Sequence, residues 1–122
     1  MLITIKPDSD IPIYLQLREQ IISGIASGQL NPGDHLPSVR QMAGDLGINM
    51  HTVNKAYAFL QADGYVRVLG RRGVVIADPP VPSLETIKET EIELKRILNE
   101  AKARGLTRET IMELLEKQLN DE

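Results

Sequence analysis

The chain has 122 residues, 42% apolar and 25% charged: the length suits one compact domain with a small appendage and speaks against a multidomain enzyme, and the composition is globular rather than disordered or fibrous. The absence of Cys removes disulfides, thiolate zinc sites and thiol nucleophiles, and the two His residues, His35 and His51, could build a metal site only with carboxylate help. The net charge of -3 speaks against a nucleic-acid partner until it is read by region: residues 81–122 hold seven Lys/Arg against ten Asp/Glu, whereas residues 40–72 carry Arg40, Lys55, Arg67, Arg71 and Arg72 against Asp45 and Asp63.

The first residues, Met1-Leu2-Ile3-Thr4-Ile5-Lys6, lack the basic head and long apolar stretch of a secretory signal. Leu2 to Ile5 reads as a short strand or an extended arm. No apolar run is long enough for a membrane span, so a cytoplasmic protein with no membrane partner is expected. Pro12 suits the first position of a helix, where its missing N–H would be unpaired anyway. Tyr14, Leu17, Ile21 and Ile25 follow at helical spacing, until Gly28 and Asn31-Pro32-Gly33-Asp34 break the chain.

A second helix opens at Ser38, which with Gln41 fits a capping box, and Val39, Met42, Ala43 and Leu46 form its apolar stripe. Gly47 ends it, since glycine takes the left-handed conformation of a tight turn without penalty. Asn49 caps a third helix running to about Ala62. Val53, Ala56, Tyr57 and Leu60 share its apolar face; His51, Asn54, Lys55 and Ala58 lie opposite. Tyr65–Leu69 and Val74–Ile76, joined by Gly70-Arg71-Arg72-Gly73, read as a β-hairpin. Asp78-Pro79-Pro80-Val81-Pro82 is a stiff linker. Ser83 caps a fourth helix with Leu84, Ile87, Leu94, Ile97 or Leu98, and Ala101 in register. Thr107 caps a fifth with Ile111, Leu114, Leu115 and Leu119 on one side.

Helix, helix, tight turn, helix, hairpin is the order of a winged helix-turn-helix. The fold class is therefore mainly α with a small β wing (α+β), followed by two C-terminal helices. The expected organisation is a DNA-binding domain over residues 1–77, a linker over 78–82 and a two-helix dimerisation segment over 83–122. A helix that enters a major groove must be polar on its outer face, and the third helix offers His51, Thr52, Asn54 and Lys55 there. Asn can bond two atoms of adenine. Arg71 and Arg72, between glycines at the hairpin tip, suit phosphates or a narrow minor groove.

These residues carry a resemblance. The segments Ile11–Leu17, Gly28–Arg40, Leu46–Asn49, Thr52–Tyr57, Asp63–Tyr65 and Arg72-Gly73 resemble the GntR family of bacterial transcription regulators, and within it the short YtrA-type subgroup. The resemblance implies DNA contacts at Arg40, at Asn49, Met50, His51, Thr52 and Asn54, and at Arg71, Arg72 and Gly73 of the wing. Met50 and His51 stand where the subgroup often has Pro and Asn, and the wing reads Arg-Arg-Gly-Val-Val rather than the common Gly-Lys-Gly-Thr-Phe. The resemblance further implies a repressor beside a transporter operon.

Two closing helices cannot bury their apolar stripes alone, so they are expected to pair with a second copy, giving a homodimer that reads a palindromic operator in double-stranded DNA. Such a helix pair encloses no drug-sized pocket within one subunit, and no effector is named by these residues. The alternative is a winged helix used for protein–protein contact, which would favour apolar residues on the third helix; Phe59 and Met50 point that way. An enzyme ranks last: no nucleophile–base–orienter set and no phosphate-binding glycine loop is visible, so no catalytic residue, metal ligand or cofactor is assigned. The plainer readings pair Arg40 with Asp45, leave His51 and Lys55 as solvated side chains, and place Tyr57 in the core.

Overall fold

The computed structural model describes residues 2–120, and the chain divides into two compact units on either side of Pro79–Pro80.

In the first unit, α1 spans Ile13–Ala26. Pro12 stands one position outside the helix rather than in its first turn, because its ψ of 144° is extended; its carbonyl still accepts from the amides of Leu15 and Gln16, both at 3.1 Å. Residues 2–6 form an arm that joins no strand, and residues 7–11 turn from it into the helix. Two glutamines of α1 hold that arm. Gln20 Oε1 accepts from the Thr4 amide at 2.9 Å while its Nε2 donates to the Thr4 carbonyl at 2.6 Å. Gln16 does the same for Lys6, at 2.8 and 3.0 Å. Each side-chain amide thus offers the arm the donor and acceptor that a neighbouring strand would. Ile3 and Ile5, the alternate residues, pack against the core.

The loop after α1 leads into β1 (His35–Leu36), which adds to the hairpin of β2 (Val66–Val68) and β3 (Val74–Ile76). The three strands lie antiparallel in the order β1-β3-β2. In register, His35 and Arg67 flank Val75, and Leu36 and Val68 flank Val74. All three residues of β3, the central strand, are buried.

Between β1 and β2 lie α2 (Val39–Leu46) and α3 (Met50–Ala62). Helix α3 packs against α1, α2 and β2. Its apolar face meets Leu17 and Ile21 of α1, Met42 and Ala43 of α2, and Val66, Val74 and Ile76 of the sheet in one cluster. Leu17, Ile21, Val53, Leu60, Val66 and Ile76 are its fully buried large side chains. Each stabilises the fold by about 1.5–3 kcal/mol relative to exposure.

The second unit is α4 (Leu84–Ala103) and α5 (Arg108–Asn120). Ser83 Oγ accepts from the Thr86 amide at 3.1 Å, and Thr107 Oγ1 from the Thr110 amide at 3.2 Å, so both expected caps are made. Ile111 is buried. By contrast Leu84, Ile87, Ile92, Leu94, Ile97, Met112, Leu114, Leu115 and Leu119 are exposed in the single chain, Leu119 to 85%. Among the described residues, no helix is long and apolar enough to cross a membrane.

Candidate nucleic-acid interface

The connection between α2 and α3 is built from local chemistry. Ser38 Oγ accepts from the Gln41 amide at 3.1 Å and starts α2. Gly47 ends it at φ 66°, in the left-handed region, and the following Ile48 amide returns to the Ala43 carbonyl at 3.0 Å. Ile48 packs on the core and pins the turn. Asn49 Oδ1 then accepts from the His51 amide at 2.7 Å, capping α3.

With Val53, Ala56, Tyr57 and Leu60 turned into the core, the opposite side of α3 must face solvent. Asn49, Met50, His51, Asn54 and Lys55 are all exposed there, and Thr52 is half-buried at the edge. These residues occupy consecutive turns of one helix, so the fold brings them together. Arg40 is exposed on the first turn of α2, and Arg71 and Arg72 are exposed on a single 3₁₀ turn (Gly70–Arg72) at the tip of the hairpin. Gly70 at φ 60° and Gly73 at φ 89° bracket that turn, a backbone only glycine adopts readily. Leu69 N–H donates to the Gly73 carbonyl at 2.7 Å and closes it.

The charges follow the same division. Among the described residues, ion pairs are made by Arg18 and Arg96 only. Arg40 is therefore not paired with Asp45, and Lys55, Arg71 and Arg72 are in no ion pair either. Asp63, one of the two acids set against the basic stretch, is taken up by Arg18 from α1 at 2.9 Å. That hydrogen bond raises the Arg18 guanidinium above its ordinary range, and its carbon lies 5.9 Å from the Tyr65 ring centroid. Arg18 also bonds Glu19 at 2.8 Å, so the local positive excess stays as the sequence count gives it.

Two contacts were not legible from spacing. The Tyr14 ring of α1 stacks on Phe59 of α3, with centroids 5.6 Å apart and planes 19° from parallel. On the same ring, Lys55 Nζ sits 4.1 Å from the centroid. Tyr57, expected in the core, is there: its hydroxyl donates to the Pro37 carbonyl at 2.7 Å, and burial pushes its pKa well up. No group of three or more His, Asp or Glu side chains comes together among the described residues.

Residues 13–76 match the model of the gntR family of bacterial regulatory proteins, which is more than half of the chain and covers α1 through β3. The chain belongs to the GntR family. Among GntR-family proteins it is similar to the transcriptional repressor YtrA of Bacillus subtilis, 35% identical over 118 residues that span 95% of this chain and 91% of that protein. The likeness to the short YtrA-type members is thereby borne out. In structure, the family member superposes on a transcriptional antiterminator from Listeria monocytogenes with a TM-score of 0.89, at 28% identity, covering 99% of this chain and 92% of the other. It also matches the DNA-binding domain of AraR, solved in complex with an operator, with a TM-score of 0.55 at 28% identity, over 61% of this chain and 92% of that one. The protein is a DNA-binding transcription regulator of this family, with the winged helix-turn-helix and two following helices that its sequence implied.

Proposed function

We propose that the protein represses transcription as a cytoplasmic homodimer on a palindromic operator, and, following its likeness to the YtrA-type subgroup, that the operator controls a transporter operon. The observation that carries the reading is the outward face of α3, polar and exposed beside a buried face fixed on three sides. In this reading α3 lies in the major groove. Asn54 and His51 meet base edges, while Met50 and Thr52 pack beside them. Asn49 and Lys55 meet phosphates, and Arg40 reaches a base edge from the first turn of α2. Arg71, Arg72 and the close backbone of Gly73 follow the groove from the wing. The name of the YtrA repressor and the operator bound to the AraR domain support both the target and the sign of regulation.

The dimer is supported by the second unit. Nine large apolar side chains on two helices are left exposed to water by the single chain, the kind of surface that a partner ordinarily covers. A second copy of the same helices would cover them with two-fold symmetry, placing half-sites about one helical turn apart or a multiple of it. The protein-partner alternative rests on Phe59 and Met50, two exposed apolar side chains on a face that otherwise carries His51, Asn54 and Lys55.

Selection from random duplexes at low ionic strength tests the reading: an inverted repeat should be enriched, and folded protein that enriches nothing overturns it. Light scattering at micromolar concentration should return twice the 13.6 kDa chain mass; a monomer would reject the dimer alone.

A further inference from the structure

The Tyr14–Phe59 stack lies at the rim of the core: Phe59 is 44% exposed, and Tyr14, half-buried, packs against the core by one side only. What it does hold is Lys55. A lysine on an exposed helix face normally samples many rotamers, and it gives up most of that freedom when its ammonium meets a fixed anion. Here Lys55 Nζ lies 4.1 Å from the Tyr14 centroid, well inside the distance at which a cation is attracted to the face of an aromatic ring. The ring itself is kept in place by Phe59, one turn along α3 from Lys55.

The direction matters. On the wheel of α3, His51 lies opposite the buried stripe with Ala58 and Lys55 about equally to either side of it, Lys55 on the side of Phe59, whose ring stacks on Tyr14 of α1. Leaning that way, the ammonium leaves the centre of the outer face to His51 and Asn54. It stands instead at the edge of the recognition face, where a groove wall presents phosphates rather than bases.

We propose that Tyr14, backed by Phe59, is a positioning residue that pre-sets Lys55 for a backbone phosphate at the edge of the groove. The inference rests on the DNA-binding reading of α3. The aromatic pair lowers the freedom Lys55 loses on binding and adds no contact of its own to DNA. Its chemistry is independent of base sequence, so its contribution is the same on any duplex.

The test therefore uses a random-sequence duplex and needs no operator. Lys55→Met should lower the slope of log affinity against log salt by about 0.9, the value for one phosphate on B-form DNA. Tyr14→Leu should weaken low-salt binding about two- to fivefold, the size of an exposed cation–π contact, and Tyr14→Phe should restore it. In the Lys55→Met background Tyr14→Leu should cost nothing further; a merely structural role would weaken binding equally in both backgrounds. Phe59→Leu, on the exposed side of α3, is the second variant should Tyr14→Leu melt early, and it should show a smaller loss with the same dependence on Lys55. An unchanged salt slope in Lys55→Met, or additive losses in the double variant, overturns the proposal while leaving the DNA-binding reading intact. Wild-type protein that binds no duplex at low salt overturns both.

Discussion

The Tyr57 hydroxyl donates a 2.7 Å hydrogen bond to the carbonyl of Pro37, tying the middle of α3 to the residue before the cap of α2. The bond crosses 20 residues of sequence and sets the two helices that flank the Gly47 turn in one frame.

Replacing Tyr57 by Phe keeps the ring and leaves the carbonyl without that donor, so unfolding in urea should show a loss of about 1–2 kcal/mol near neutral pH. Burial raises the phenol's pKa in the folded protein. A raised pKa means the contribution is complete below about pH 10, where an unfolded Tyr begins to ionise, and is lost as pH climbs beyond it. The gap between wild type and Tyr57→Phe should therefore shrink from pH about 9 to about 11. A constant gap would show that the hydroxyl is not buried as described.

Gly47→Ala tests the turn. A Cβ there meets no atom within 4 Å, so the penalty is that of the left-handed backbone alone, about 1–2 kcal/mol. Gly47→Asn should lose less, because Asn tolerates that region better. Thermal melts of both variants decide it; equal losses would point to a cause other than φ.

The glutamine brackets on the N-terminal arm predict a local response. Gln20→Leu should speed hydrogen exchange at the Thr4 amide and Gln16→Leu at the Lys6 amide, with the amides of α3 unchanged. Unaltered exchange at Thr4 and Lys6 would mean that the arm is held by Ile3 and Ile5 instead.

On a selected operator, Arg40→Ala or Asn54→Ala should each weaken binding by about 1–3 kcal/mol if it reads a base, and relax preference at one position of each half-site. Arg71→Ala with Arg72→Ala should act differently, lowering the salt slope by about 0.9 per phosphate lost and leaving base preference at the major groove unchanged. Full operator affinity in folded Asn54→Ala would remove that residue from the interface.

What the sequence discloses here is what local chemistry decides. Ser38, Asn49, Ser83 and Thr107 were readable as caps because a cap is satisfied within three residues, and all four accept the expected amides. Gly47 was readable because few residues enter its conformation. Helical period separated the buried Val53, Ala56, Tyr57 and Leu60 from the exposed His51, Asn54 and Lys55. Period does not say which helix covers a flank, and so Tyr14 beneath Lys55 and beside Phe59 stayed hidden. Arg18 on Asp63 was hidden for the same reason, 45 residues apart. Strand β1 lies beyond what spacing can show, since two residues carry no alternation and their partners Val74 and Val75 come about forty positions later.

The wing tip closes upon itself. Leu69 bonds Gly73, Arg72 bonds Leu69 and Gly73 bonds Gly70, so no rung between β2 and β3 depends on the side chains of Arg71 or Arg72. Those two codons can drift while the hairpin keeps its shape. A lineage could retune how strongly such a regulator clings to its promoters, and a designer could do likewise, without renegotiating the scaffold underneath.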